Sequence, residues 1–367
     1  MSGSCYGHLE RCFGWGGGDK LAWHVDLKPH ACGDYSIAAV QANSSLEDQA
    51  QVWTASSTTY VGVYDGHGGP EASRFIARSL FPFLHKCASE HGGVSSEIIK
   101  KAFDTIEEEF LHFVRQSWPV RPEIASMGSC CLVGVISSNT LYVANLGDSR
   151  AVLGRRVSEK NVSGAVVAER LSTDHNVCAE EIRKEVEALH PDDSGIVVNT
   201  RGVWRIKGII QVSRSIGDFY LKRPEFNQWG PAIPLRRPLM TAEPSIVIRE
   251  LKKNDLFLIF ASDGLWEHLT DETAVEIVSK YPQAGIAKRL VRAALQEAAR
   301  KREIRFDDIK KIKKGIRRHF HDDISVVVVF FDHSHDSRNS RVVRRDNYDS
   351  TTVPVDIFSH NADEADC

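Results

Sequence analysis

The eight cysteines of this 367-residue chain include no Cys-x-x-Cys pair, and no Cys/His grouping has the spacing of a zinc site. At irregular spacings, in a chain without an export signal, they read as reduced thiols. No apolar run approaches the length needed to span a bilayer. The opening residues, "MSGSCYGHLERCFGWGGGDK", have no apolar core of the signal-peptide kind, and Met1-Ser2-Gly3 misses the myristoylation pattern. Cytoplasm or nucleus is therefore the expected compartment, with no secretion and no transmembrane segment. Excess charge of one sign is also missing. A formal net charge of −3 gives no electrostatic reason to expect a nucleic-acid partner. There is no internal repeat.

What is present is ordinary globular material, 42% hydrophobic and 26% charged, able to bury a large core. Residues 1–32 mix Gly, Trp, Cys and His without periodicity and read as an N-terminal extension. Residues 33–333 are densely patterned and read as one domain. Residues 334–367 are polar and aperiodic and read as a flexible tail. Strand-like runs include "YSIAAVQ", "CLVGVIS", "TLYVANLG", "AVVAERL", "GIIQVS", "SIVIREL", "DLFLIFAS" and "ISVVVVFF". In "SEIIKKAFDTIEEEFLHFV", Ile99, Ala102, Phe103, Ile106, Phe110 and Phe113 form one helical face. Thr270 reads as the N-cap of "DETAVEIVSKY". Many short strands and few helix pairs imply an α+β class rather than βαβ alternation. The basic stretch "KKIKKGIRRHFHDD" reads as a solvated helix, with a nuclear or membrane-surface signal as the alternative.

Carboxylates recur at strand ends. In "TTYVGVYDGHGGPEASRF" an apolar strand runs into Asp65, Gly66 and His67, and then, past Pro70, into a helix. Asp148 follows "LYVANLG" and Asp263 follows "LFLIFAS". Asp322 and Asp323 precede "ISVVVVFF", and Glu47 and Asp48 follow "YSIAAVQ". In an antiparallel sheet the end of one strand and the start of its neighbour share a rim, so Asp65, Asp263 and Asp322 are expected at one mouth. Crowded carboxylates raise one another's pKa unless cations neutralise them. An oxygen-rich cluster suits Mg²⁺ or Mn²⁺.

The ordered series "VYDGHGG", "NLGDSRAVL", "VSRSIGD", "FASDGLWE" and "DDISVVVV" resembles the metal-dependent type-2C protein serine/threonine phosphatases (the PPM family), over about residues 33–332. By "QANSSLEDQAQV" and "GIRRHFHDDISV" the chain is most similar to plant clade D members. The resemblance implies two antiparallel β-sheets packed as a sandwich, with α-helices on both sides. It implies two Mn²⁺ or Mg²⁺ ions, with a weaker third. Asp65 matches the carboxylate bridging two metals, and Gly66 the glycine offering its carbonyl to one of them. Asp263 and Asp322 match ligands of the other metal, with Asp323 the alternative to Asp322. Glu47 and Asp48 match acidic positions that steady metal-bound water. Asp148, with Glu267, matches the weaker site, and His67 matches the general acid.

The match departs at two places. Asn43 stands where many relatives carry the arginine that grips substrate phosphate, which leaves that role unassigned; Arg214 and Lys207 are nearby alternatives. Arg201 stands where abscisic acid co-receptors carry a locking tryptophan, so no such role is expected, and Trp204 reads as structural. The resemblance further implies phosphoprotein substrates, among them the plasma-membrane proton pump, with peripheral contact at that membrane. It implies small auxin-up RNA proteins as inhibitors. A monomer is expected. The alternative function is a weak or inactive phosphoprotein-binding scaffold, against which the retained Asp65, Gly66, His67, Asp263 and Asp322 argue.

Overall fold

A computed structural model describes residues 22–55, 57–159, 162–229, 235–332 and 355–356. Two six-stranded antiparallel sheets dominate it. In the first, the spatial order is Ala22–His30, Gly33–Val40, Ile324–Phe330, Asp255–Ala261, Arg150–Glu159, Val162–Arg170. In the second it is Ser245–Glu250, Thr140–Leu146, Cys131–Ser137, Thr58–Tyr64, Gln49–Ala55, Val355–Asp356.

The strand Ile324–Phe330 explains the layering. All seven of its residues are buried, so it has no solvent face. Val327 and Val329 point between the sheets, among Ile37, Val61, Val63, Leu258 and Phe260. Val326 and Val328 point outward, to Val275, Leu290 and Ala294 of the helices Asp271–Lys280 and Ile286–Lys301. Strand side chains alternate between faces, so burial on both sides demands an unbroken apolar run. The second sheet repeats this on the other flank. Tyr60 and Tyr64 meet Phe81 and Phe103 of the helices Glu71–Glu90 and Ser96–Ser117. The result is helix, sheet, sheet, helix, an α+β sandwich as expected. The helix starts are capped locally: Ser95 Oγ accepts from the Ile98 amide at 3.3 Å and Thr270 Oγ1 from the Thr273 amide at 3.2 Å.

Two smaller units ride on this frame. A ribbon of three two-residue strands places Gly128–Ser129 between Gly66–His67 and Ile216–Gly217. The hairpin Val197–Thr200/Val203–Ile206 packs with the helix Glu180–Leu189 around Val177, Ile182, Val186 and Ile206.

Several boundaries differ from expectation. Ala22–His30 is not extension but an edge strand paired with Gly33–Val40, and Val25 is buried. Within the segment expected to be a flexible polar tail, Val355 and Asp356 pair with Val52 and Gln51, and Val355 packs on the inter-sheet core. The remainder of the expected extension, 1–21, and of the tail, 334–354 and 357–367, lies outside the described residues. "GIIQVS" makes only single bridges, Ile206 with Ile210 and Asn176 with Val212. The basic stretch is no helix; it folds back as a loop with one short turn, Arg317–His319. Among the described residues no helix is long and apolar enough to cross a membrane.

Candidate metal centre

Acidic side chains from both sheets meet at one mouth of the sandwich. Asp65 leaves the strand Thr58–Tyr64 of the second sheet; Asp263 leaves Asp255–Ala261 of the first and opens a short helix. The Asp263 amide lies 3.4 Å from Asp65 Oδ2, so the two sheets touch here through a carboxylate. Ligand atoms of Asp65, Asp148 and Cys130 lie within 4.8 Å of one another. The Cys130 thiol is directed at Asp148 Oδ1 at 3.4 Å, while Asn176 Nδ2 donates to Oδ2 at 2.6 Å. Gly66 packs so closely on the neighbouring segment that a Cβ would fall 2.4 Å from the Glu47 carbonyl oxygen. Only a glycine fits there.

The electrostatics are those of a site short of positive charge. Burial pushes the Asp48, Asp65 and Asp263 carboxyls far above their ordinary range. Each is pushed further by a neighbour: Asp323 acts on Asp48, Asp48 on Asp65, and Asp65 on Asp263. Glu47 rises to about 7, through burial first and then Asp323 and Asp322. Asp48 Oδ2 and Asp263 Oδ1 are buried without a hydrogen-bond donor among the described residues. A buried charged oxygen without a partner is costly, and a divalent cation removes that cost. The donor set therefore fits a hard metal ion.

Asp322 and Asp323 part company. Asp323 turns inward: Oδ1 accepts from the Ala42 and Asn43 amides at 2.6 and 3.0 Å, and Oδ2 from the Glu47 amide at 2.8 Å. Three backbone donors occupy it, which makes it the brace of the Ala42–Glu47 loop. Asp322 acts on both Asp65 and Asp263 through space. Its carboxyl rises to about 6, burial outweighing the opposing pull of Arg318.

His67 has a partner that the sequence reading did not assign. Its Nε2 is 2.8 Å from Asp218 Oδ2, and the Ser215 hydroxyl donates to the same oxygen at 2.5 Å. Asp218 is fully buried and left-handed at φ 52°. Burial pulls the imidazole down, but Asp218, then Asp148 and Glu47, outweigh it and hold His67 above its ordinary pKa. The loop carrying Asp218 is tied to the helix Ser96–Ser117 through Glu107, which accepts from the Gly217 amide at 2.8 Å and from Lys222 at 2.7 Å. Cys130 is a second residue the sequence does not mark, beyond its place among the reduced thiols. The signal available was "VSRSIGD" for Asp218 and "MGSCC" for Cys130.

The alternatives named for the phosphate are engaged elsewhere. Arg214 bonds Glu185 at 2.6 Å and the Glu243 carbonyl at 2.8 Å; Lys207 bonds Asp193 at 2.6 Å. Lys207 lines a cavity of about 250 Å³ with Asp193, Arg237 and Asp192, whose opposite charges already pair. Arg201 sits at φ 54° in the tight turn of the hairpin, and Trp204 lies under the Arg183 guanidinium at 4.4 Å, against the cluster around Val177.

The family model described as protein phosphatase 2C matches residues 34–302. Over 366 residues the chain is 67% identical to probable protein phosphatase 2C 63 of Arabidopsis thaliana, covering 98% of this chain and 96% of that relative. It is 63% identical to probable protein phosphatase 2C 78 of Oryza sativa subsp. japonica, covering 97% and 94%. The crystal structure of serine-threonine phosphatase 2C from Toxoplasma gondii is similar in fold, with a TM-score of 0.61, 18% identity, and coverage of 85% of this chain and 99% of that chain.

Proposed function

The chain belongs to the protein phosphatase 2C family of metal-dependent protein serine/threonine phosphatases, and we propose that it hydrolyses phosphoserine and phosphothreonine at a binuclear Mn²⁺ or Mg²⁺ centre. The residues that would hold the cations are Asp65, the Gly66 carbonyl, Asp263 and Asp322, with Asp148 at a weaker third position. The observation that carries this reading is the meeting of Asp65 and Asp263 across the two sheets, with Asp263 Oδ1 buried and without a hydrogen-bond partner among the described residues. Bound there, two cations would supply a water of lowered pKa as nucleophile and stabilise charge on the phosphoryl oxygens.

The chain's own residues do the rest. Asp323, bonded to three amides, keeps Glu47 and Asp48 beside the cluster. Asp218 holds His67 Nε2, which leaves Nδ1 to deliver a proton to the serine or threonine alkoxide, a poor leaving group. The plant relatives and the clade resemblance support a place in plant signalling, in cytoplasm or nucleus. The same resemblance supports the plasma-membrane proton pump as substrate and small auxin-up RNA proteins as inhibitors. The test is phosphate release from a phosphothreonine peptide with Mn²⁺, with and without a chelator, by wild type and by Asp263→Asn. Release should stop with the chelator and fall steeply in the variant. Metal-independent release, or a fully active Asp263→Asn, would overturn the reading.

A further inference from the structure

A cluster of carboxylates repels the phosphate it is meant to receive, so a cation belongs at its rim. Asn43, four residues before Glu47, is uncharged, and its Nδ2 lies 3.4 Å from Asp322 Oδ1. On the other oxygen of that same carboxylate, Arg318 Nη2 lies 2.6 Å from Oδ2. Arg318 and Asn43 thus flank one carboxylate. The loop that brings Arg318 there is clipped to the segment that carries Asn43. Arg317, buried, donates from Nη1 to the Gln41 carbonyl at 3.0 Å and from Nε to the Ile312 carbonyl at 2.7 Å. The Gly315 amide donates to the Ala42 carbonyl at 2.7 Å.

Among the described residues, the other basic side chains considered for the phosphate are paired elsewhere. Lys301 Nζ bonds the Glu267 carbonyl at 2.6 Å, and Arg214 and Lys207 are held by Glu185 and Asp193. Arg318 has one nitrogen on Asp322 while 51% of its side chain remains accessible. Its charge also acts on Glu47 and Glu267. A guanidinium in that position has donors to spare and a planar fork that fits phosphate.

Resting on the phosphatase reading above, we propose that Arg318 binds the substrate phosphate, doing from the 310–321 loop what an uncharged Asn43 cannot. The competing role is that of a counter-ion only, balancing Asp322, Glu47 and Glu267 without touching substrate.

The test uses the full chain loaded with Mn²⁺. Wild type, Arg318→Ala, Arg318→Lys and Lys314→Ala are compared for KM, for kcat, for competitive inhibition by inorganic phosphate, and for calorimetric binding of phosphate and of Mn²⁺. Arg318→Ala should raise KM and the phosphate constants together, by roughly ten- to hundredfold, with a smaller change in kcat. Arg318→Lys should recover part of the loss, since it restores the charge without the fork. Lys314→Ala, an exposed change in the same basic stretch, should alter neither constant. Adding Asn43→Arg to Arg318→Ala should restore phosphate binding. Phosphate constants unchanged in Arg318→Ala would overturn the inference, as would an equal effect from Lys314→Ala. So would a change in Mn²⁺ affinity alone, which is the counter-ion result. If wild type releases no phosphate, the phosphatase reading falls, and the calorimetric comparison still decides whether Arg318 binds the anion.

Discussion

Release of a serine or threonine alkoxide turns on one proton, and on the proposed reading the imidazole of His67 gives it. Burial disfavours the protonated imidazole; Asp218, itself fully buried and hydrogen-bonded by Ser215, outweighs it and raises the His67 pKa above its ordinary value. His67→Gln should therefore slow hydrolysis of a phosphothreonine peptide by roughly 10²-fold, in the range of a positioned acid. An aryl phosphate, whose leaving group needs little help, should lose much less. Rates measured on both substrates decide the matter, and equal losses would remove His67 from the role. At this scale the sequence was legible where chemistry and strand pattern coincide, as at Asp65 and Asp263. It was silent on Asp218, which lies in a left-handed loop with no periodicity to mark its direction. It favours Asp322 over the adjacent Asp323 by motif register alone; the three backbone amides that Asp323 accepts come from a loop some 280 positions away, which no local pattern shows.

The element that joins His67 to Asp218 is the small three-stranded ribbon, and its centre is Gly128. A Cβ there would sit 2.1 Å from Asp218 Oδ2 and 2.5 Å from His67 Nε2. Neither atom can retreat without breaking the bond between them. Gly128→Ala is thus expected to reduce turnover on the peptide by roughly 10²-fold, matching loss of the acid. Its stability cost should be that of local overpacking, about 1–3 kcal/mol. Peptide turnover and a thermal melt together check this; wild-type turnover would show that the ribbon does not set the acid. Buried elements were the legible ones: Cys131–Ser137, Asp255–Ala261 and Ile324–Phe330 announce themselves by apolar runs. The edge strand Ala22–His30 did not, because an edge tolerates what a centre cannot. It carries Pro29 and a register shift between Val25 and Lys28. "GIIQVS" looked like a strand for the opposite reason: its apolar side chains face the cluster around Val177, while its backbone finds only scattered partners.

For the molecule as a whole, the two sheets meet at a mouth lined with carboxyls that bind protons more tightly folded than unfolded. Glu47 rises to about 7, and Asp48, Asp65 and Asp263 rise with it. Where the folded chain holds more protons than the unfolded one, stability falls as pH rises. Below about pH 6.5, the ordinary histidine pKa, His175 and His268 oppose this, because burial lowers them to about 3 and about 4 and their stabilising effect grows with pH. Above it the carboxyls act unopposed. The chelated chain should therefore lose melting temperature between roughly pH 6.5 and 8, and Mn²⁺ should abolish the slope. A melting temperature that rises over that window in chelator would contradict the raised carboxyls. The order of strands carries a further consequence, in time rather than in energy. Ile324–Phe330 is inserted between Gly33–Val40 and Asp255–Ala261, so the middle of the first sheet is the last of its strands to be synthesised. Roughly 280 residues separate Val40 from Ile324, which at ribosomal speeds is about a quarter of a minute to a minute. Throughout that interval Gly33–Val40 is translated but has no inner neighbour, and Asp322, just ahead of the missing strand, has not yet emerged. The nascent chain must hold the apolar edge of Gly33–Val40 open until the first sheet's last strand slides into its centre and brings Asp322 to the mouth.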